Sequence, residues 1–257
     1  MTRALVLIAA AVSLLLVGAR RPPSVDYRLG LDLERDGPPV ATVEMRFEGD
    51  ADGETRLDLP DRFRSTEGAW RYVFDLDVRG ARVAAPDPAH RVLTHRPGAK
   101  ITVRYRLQSA YVDDPQAQAG DPVKGPLLRP QGAALLGPLV FATPQGRDLE
   151  AATFRWGRLP KGWRGASDLE HAEMGRWMNV ADVRDSVSLA GPDLEVVERE
   201  ANGARLRIAR LGGPDLEATA SAAAPVLAAQ RAYWAAPPGP ELLALVGLAG
   251  QGGSAGG

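Results

Sequence analysis

The strongest constraint on this chain is a period-two alternation of apolar and polar residues through most of its first half. Tyr27, Leu29, Leu31 and Leu33 fall on one side of an extended segment, and Arg28, Asp32 and Glu34 fall on the other. Val43, Met45 and Phe47 alternate in the same way with Thr42, Glu44 and Arg46, and Leu57 and Leu59 with Arg56 and Asp58. Successive side chains of a strand point to opposite faces, so each run puts one face in a core and the other in water. Trp70, Tyr72, Phe74, Leu76 and Val78 predict the longest strand, with three aromatics on its inner face and Arg71, Asp75 and Asp77 opposite. A short strand over Arg91 to Thr94 follows, then Ile101, Val103, Tyr105 and Leu107 against Thr102, Arg104 and Arg106. Asp36-Gly37, Asp52-Gly53 and Pro97-Gly98 supply turns between the runs. With helical periodicity almost absent until late in the chain, the pattern predicts a mainly β protein built as an antiparallel β-sandwich.

Residues 111–138 break the pattern. They are rich in Pro, Gly and Gln, show no sustained period, and read as a long surface excursion where function can sit. Strands are expected again at Leu139 to Phe141, Ala152 to Trp156, Asp185 to Leu189, Leu194 to Arg199 and Arg205 to Arg210, the last two joined at Asn202-Gly203. From Asp215 the period becomes helical through Leu216, Ala220, Ala223, Leu227 and Tyr233, with Pro214 at the start and Pro225 inside, where a kink or reset is expected. Pro237 to Pro240 ends that helix, and an apolar strand over Leu242 to Leu248 runs into a Gly-rich segment ending at Gly257. The change of period at Gly212-Gly213 divides the chain into a β-sandwich domain, 24–212, and a region 213–257 that reads as the opening of a truncated second domain.

The N-terminus has the form of a secretory signal peptide over residues 1–19: Arg3, an apolar run from Ala4 to Val17, and the small residues Gly18 and Ala19. An uncleaved anchor is the competing reading, but the run falls short of the roughly 20 apolar residues of a bilayer span. With no Cys there is no lipid-attachment cysteine, disulfide or thiolate metal site. The expectation is an exported, periplasmic protein with no membrane association after cleavage. The net charge is -1 and the basic residues are dispersed, so no nucleic-acid partner is expected. At 45% hydrophobic residues the chain can fill a sizeable core.

Catalytic signatures are scarce. His90, His95 and His171 are the three imidazoles, and none has a second His at helical spacing with a Glu between, as a zincin site requires. His171-Ala-Glu173 lacks the cysteine pair of a deaminase, so each His reads as a loop or strand-end residue. Gly-x-Ser-x-Gly does not occur, and Gly253-Ser-Ala-Gly256 has the wrong spacing. The Gly-rich end lacks the Lys of a phosphate loop, and Asp113-Asp114 matches no calcium loop. Trp156, Trp163 and Trp177 suggest either a sugar-stacking platform or core packing, and core packing is the commoner use. Arg71, Arg104 and Arg106 fall on outward faces, either as an acidic-ligand surface or as a solvated sheet face, which is the preferred reading. No residue is therefore assigned a catalytic, cofactor-binding or metal-ligating role.

One set of segments resembles a known family. The order Val25 to Leu29, Leu57-Asp-Leu-Pro60, Trp70, Ile101 to Arg106, Gly137 to Pro144 and Leu159 to Trp163 is similar to the N-terminal region of the glycyl aminopeptidase family of zinc metallopeptidases. The likeness spans most of residues 25 to 248. It implies an N-terminal β-sandwich followed by a thermolysin-like catalytic domain with His-Glu-x-x-His, often with a PDZ domain. The helix from Asp215 and the strand from Leu242 resemble the entry into that catalytic domain. The family's Gly-Gly-x-Glu-His type segment would fall at Gly250 to Gly257, which holds neither Glu nor His, so no ligand carries over.

Two functions are compared. The preferred one is the non-catalytic N-terminal β-sandwich of an exported glycyl-aminopeptidase-like metallopeptidase, flanking a peptide cleft. Zinc and the peptide substrate would belong to the catalytic domain beyond this chain, the chain alone would be inactive, and its C-terminal helix would offer a surface for self-association. The alternative is a stand-alone periplasmic module that binds peptide or glycan through residues 111–138 or the Trp-bearing segment.

Overall fold

The computed structural model describes residues 24–33, 38–110, 125–170, 178–212, 215–235 and 242–246. The signal-like N-terminus, Asp113-Asp114, His171, Trp177, Pro214 and the Gly-rich end lie outside them. The strands run in chain order β1 (Ser24–Asp32), β2 (Val40–Glu48), β3 (Glu54–Asp58), β4 (Val73–Arg79), β5 (Arg82–Ala84), β6 (His90–Thr94), β7 (Lys100–Gln108), β8 (Leu127–Arg129) and β9 (Gly132–Leu136). They continue as β10 (Thr143–Pro144), β11 (Ala151–Trp156), β12 (Arg164–Ser167), β13 (Met178–Asn179), β14 (Val187–Gly191), β15 (Leu194–Ala201), β16 (Ala204–Leu211) and β17 (Leu242–Val246). The helices are α1 (Val180–Arg184) and α2 (Leu216–Tyr233).

The chain is mainly β and largely antiparallel, as the alternation predicts. A six-stranded sheet in the order β13-β11-β1-β2-β7-β4 forms one wall of the sandwich. Two four-stranded sheets, β10-β3-β6-β5 and β12-β14-β9-β8, contribute the opposing side chains. Tyr27, Leu29, Val43, Met45, Val103 and Leu107 of the large sheet meet Leu57, Leu93, Leu128 and Leu135 of the smaller ones in one core cluster. Each such large side chain contributes about 1.5–3 kcal/mol on leaving water. Register is set by that burial, since Val43 lies opposite Tyr105 and Met45 opposite Val103, and a one-residue slip would turn the whole set outward. One pair in the large sheet is parallel, β1 with β11.

Three expectations are corrected. The predicted strand at Trp70 begins instead as a 3-10 turn, Ala69–Tyr72, entered through Gly68 at φ 78°. In β4 the register against β7 then shifts between Phe74 and Asp77, and Asp75 takes a left-handed φ of 52°. The bulge reverses the alternation: Phe74 shares the outer face with Arg106, while Val78 shares the inner face with Val103. The three aromatics therefore do not line one inner face. At Leu139 to Phe141 the expected strand is a 3-10 turn, Gly137–Leu139, followed by a buried irregular segment, because its carbonyls bond to tyrosine hydroxyls rather than to a neighbouring strand. Within the supposed excursion at 111–138, residues 127–136 form the hairpin β8–β9, which places Leu128 and Leu135 in the core.

A third layer lies on the sandwich. β15, β16 and β17 form their own sheet, antiparallel at β15–β16 and parallel at β16–β17. The turn at Asn202 and Gly203 has φ of 49° and 71°, the paired positive values that a tight two-residue hairpin loop uses. Leu194, Ala209 and Leu211 face Leu189 and Ala166 of the sandwich, and Leu206 and Ile208 face Leu216 and Ala220 of α2 on the other side. Asp215 caps α2 through the Glu217 and Ala218 amides, and the helix continues unbroken through Pro225. Sheet membership changes between Gly191 and Leu194, and hydrogen bonds join strands on both sides of residue 212.

Candidate functional site

The side chains singled out from the sequence are mostly engaged in structural roles. The His90 ring places Nδ1 2.8 Å from Asp87 and Nε2 3.5 Å from Asp58. The hydrogen bond from His90 holds the Asp87 carboxyl below its usual range. His95 sets Nε2 2.9 Å from the Thr55 hydroxyl and Nδ1 2.8 Å from the Arg96 carbonyl. Trp156 and Trp163 are half-buried and packed against the core. Arg104 and Arg106 share the outer face of β7, and each outward arginine is engaged within the chain. Arg104 pairs with Glu44, Arg106 lies 5.0 Å over the Phe74 ring beside Asp75, and Arg71 lies over Trp70.

The densest polar network is one that sequence reasoning missed. Arg147, with only 12% of its side chain exposed, donates to Asp50 at 2.6 Å and to the Glu48 carbonyl at 2.9 Å. It also reaches Glu150 at 3.3 Å and stands 5.4 Å over the Phe47 ring. Asp50 accepts in turn from the Thr55 hydroxyl at 2.7 Å, which links the chain of groups to His95. Burial pushes the Glu150 carboxyl up, against the pull of Arg147. These groups tie the loop after β10 to the turn between β2 and β3. The contacts of Arg147 make the group a clasp between those two loops, while the second Glu150 carboxylate oxygen, Oε1, is buried with no hydrogen-bond partner among the described residues.

The other polar concentration lies where the sandwich meets the third sheet. Trp156 donates its indole N–H to Glu170 at 2.5 Å, and Arg207 reaches the other Glu170 oxygen at 2.6 Å. Nearby, burial pushes the Asp168 carboxyl up to about 6, although the Val187 amide and the Ser167 hydroxyl donate to it. On the far side of the sheet a shallow open cavity of about 550 Å³ is lined by residues that include Arg164, Glu195, Arg210, Asp215 and Glu217. Its charges are largely committed: Arg210 holds both Glu195 oxygens at 2.8 Å, Asp215 caps α2, and Glu217 pairs with Arg199. No local sequence motif marks the Glu170 pair, because Arg207 comes from a strand 37 positions away.

The fold recurs in solved metallopeptidases. The chain is similar to an aminopeptidase N family protein from Idiomarina loihiensis, with TM-score 0.68 and 16% identity over 89% of this chain and 40% of that one. It is also similar to an M1 zinc metallopeptidase from Deinococcus radiodurans, with TM-score 0.53 and 15% identity over 88% of this chain and 56% of that one. An E323A mutant of an M1 zinc metallopeptidase from Deinococcus radiodurans, bound to a Tyr-Ser-Ala substrate, matches with TM-score 0.51 and 15% identity, at the same coverage. No family model matches the chain, and no curated protein matches it. The chain spans about two fifths to just over half the length of these structures, and the match falls on an N-terminal region of them. The likeness to the N-terminal region of these metallopeptidases therefore holds at the level of the fold.

Zinc does not fit the donors described. Asp87 and Asp58 lie against different nitrogens of His90, so the three cannot converge on one ion, and His95 faces a hydroxyl and a carbonyl. Among the described residues no three His, Cys, Asp or Glu side chains are grouped to hold a metal. No helix among the described residues is long and apolar enough to cross a membrane.

Proposed function

We propose that this chain is the exported, non-catalytic N-terminal β-sandwich portion of a glycyl-aminopeptidase-like zinc metallopeptidase, flanking the peptide cleft of a catalytic domain that extends beyond it. The observation that carries the reading is the order of layers. A sandwich is followed in sequence by a three-stranded sheet with one helix on its outer face, and the whole overlaps an N-terminal region of solved zinc metallopeptidases. The polar side chains of the sandwich support it too, since Arg147, Asp50 and Glu150 hold loops together. On this reading residues 1–19 direct export, 24–212 form the N-terminal domain, a sandwich that carries β15 and β16, and 213–257 open the catalytic part, seated on those two strands. Zinc and peptide would be held by the remainder of the enzyme. The outer face of α2, which exposes Val226, Tyr233 and Trp234, would be covered there or would drive self-association of the isolated chain.

Calorimetric titration of the purified chain with Tyr-Ser-Ala, the peptide bound by the Deinococcus enzyme, separates this role from that of a stand-alone binding module. A flanking domain alone should bind with Kd weaker than about 1 mM, an affinity worth only about 4 kcal/mol. Saturable binding at micromolar concentration would reject the flanking role and favour the module.

A further inference from the structure

The contact between the sandwich and the third sheet has a small apolar part. It consists of Leu189, Leu194 and Leu211 with the alanines Ala134, Ala166 and Ala209. Apolar contact is non-directional, and an alanine-lined surface offers few side chains to oppose sliding or rotation. Three leucines hold two layers together without fixing the angle between them.

We infer that Glu170 fixes that angle, acting as a bolt at the point where three sheets meet. Its two carboxylate oxygens are divided between layers. One accepts from the indole N–H of Trp156, the last residue of β11 in the large sheet, at 2.5 Å. The other meets the Arg207 guanidinium of β16, in the third sheet, at 2.6 Å. Glu170 itself follows β12, which belongs to the sandwich sheet beneath. The pair is largely withdrawn from water, with 16% of the Arg207 side chain and 19% of the Glu170 side chain exposed. Charge-assisted bonds in such a site are short and directional, and fixing register is the best-attested use of a buried ion pair.

The Trp156 ring is itself held in place. It packs over Gly165 of β12 so closely that a Cβ there would collide with the indole. The same ring meets Phe154 edge-on at 5.5 Å, and Phe154 meets Phe141 at 6.3 Å, so the indole N–H is aimed by the aromatic core of the sandwich. β12 contributes one further direct tie, a bond from Arg164 to the Leu194 carbonyl at the start of β15. The angle of β15–β16, and of α2 above it, is therefore referred to the sandwich core through Trp156 and Glu170. This assignment stands on contacts within the chain and would survive rejection of the peptidase-related role.

Hydrogen exchange on the full chain tests it. In E170A, amides of β15, β16 and α2 should lose about tenfold or more of their protection while those of β1, β2 and β7 keep theirs. R207M should show a loss in the same region, and E170A combined with R207M should lose less than the sum of the two single losses. E170Q, which still accepts the indole bond, should show a smaller loss confined to the same region. This near-isosteric variant decides the matter if E170A does not fold. Equal loss in sandwich and third sheet, or unchanged protection of β15 and β16 in all the variants, would overturn the inference.

Discussion

The Tyr105 hydroxyl donates to the Val140 carbonyl at 2.7 Å and accepts the Ala142 amide at 2.8 Å, so one side chain of β7 satisfies two backbone groups of a buried segment without strand partners. Tyr27 of β1 adds a bond to the Ala142 carbonyl at 3.1 Å. Burial pushes both phenols well above their ordinary range, which keeps them neutral donors. Residues 140–142 are thereby fixed in the core between the sheets. Y105F should destabilise the protein by about 2–4 kcal/mol, since each orphaned buried group costs roughly 1–3 kcal/mol. Y27F, which removes one longer bond, should cost about 1 kcal/mol in the same urea unfolding experiment.

Arg147 should be hard to replace. It joins two carboxylates, a carbonyl and an aromatic face with a planar group that lysine cannot imitate. R147M leaves Asp50 and the half-buried Glu150 without their cation and should cost roughly 3 kcal/mol. R147K should recover less than half of that loss, as judged by the denaturation midpoint.

Asp168 gives stability a specific dependence on pH. Its carboxyl stands at about 6 in the folded chain against 3.8 for the free group, so folding favours the protonated form. The associated stability is present in full below pH 3.8 and is lost as pH rises through about 6. D168N keeps an acceptor for the Val187 amide and carries no charge. Relative to the parent chain it should gain nothing near pH 4 and be the more stable protein at pH 7, in paired urea melts.

The β15–β16 hairpin depends on Gly203 at φ 71°. A β-branched residue there meets the left-handed penalty of about 1–2 kcal/mol, so G203V should lower the thermal midpoint while the sandwich fold, read by circular dichroism, persists.

Strands buried on one face were legible because that burial writes itself into every second residue, as at Val43, Met45 and Phe47 or Ile101, Val103 and Tyr105. The reading failed at β4, where the left-handed residue is Asp75 and no glycine announces the bulge. It failed again at Val140 to Ala142, whose hydroxyl partners lie 35 and 115 positions away. The helix, the strand after it and the turn at Asn202-Gly203 were visible from local chemistry. Glu170, Arg207 and Arg147 were not, since nothing about an isolated charged residue states which distant strand it will meet. The resemblance to zinc aminopeptidases rested on the order of short segments, and the fold it implied is shared with solved metallopeptidases at 15–16% identity.

In the proposed role this chain flanks a peptidase site and holds none of its chemistry. The direct measurement is release of aniline chromophore from amino-acid anilides by the purified chain, with added zinc and with a chelated control. The account predicts that the two rates are equal and match buffer. Turnover that zinc restores and chelation abolishes, proportional to the concentration of this chain, would contradict it.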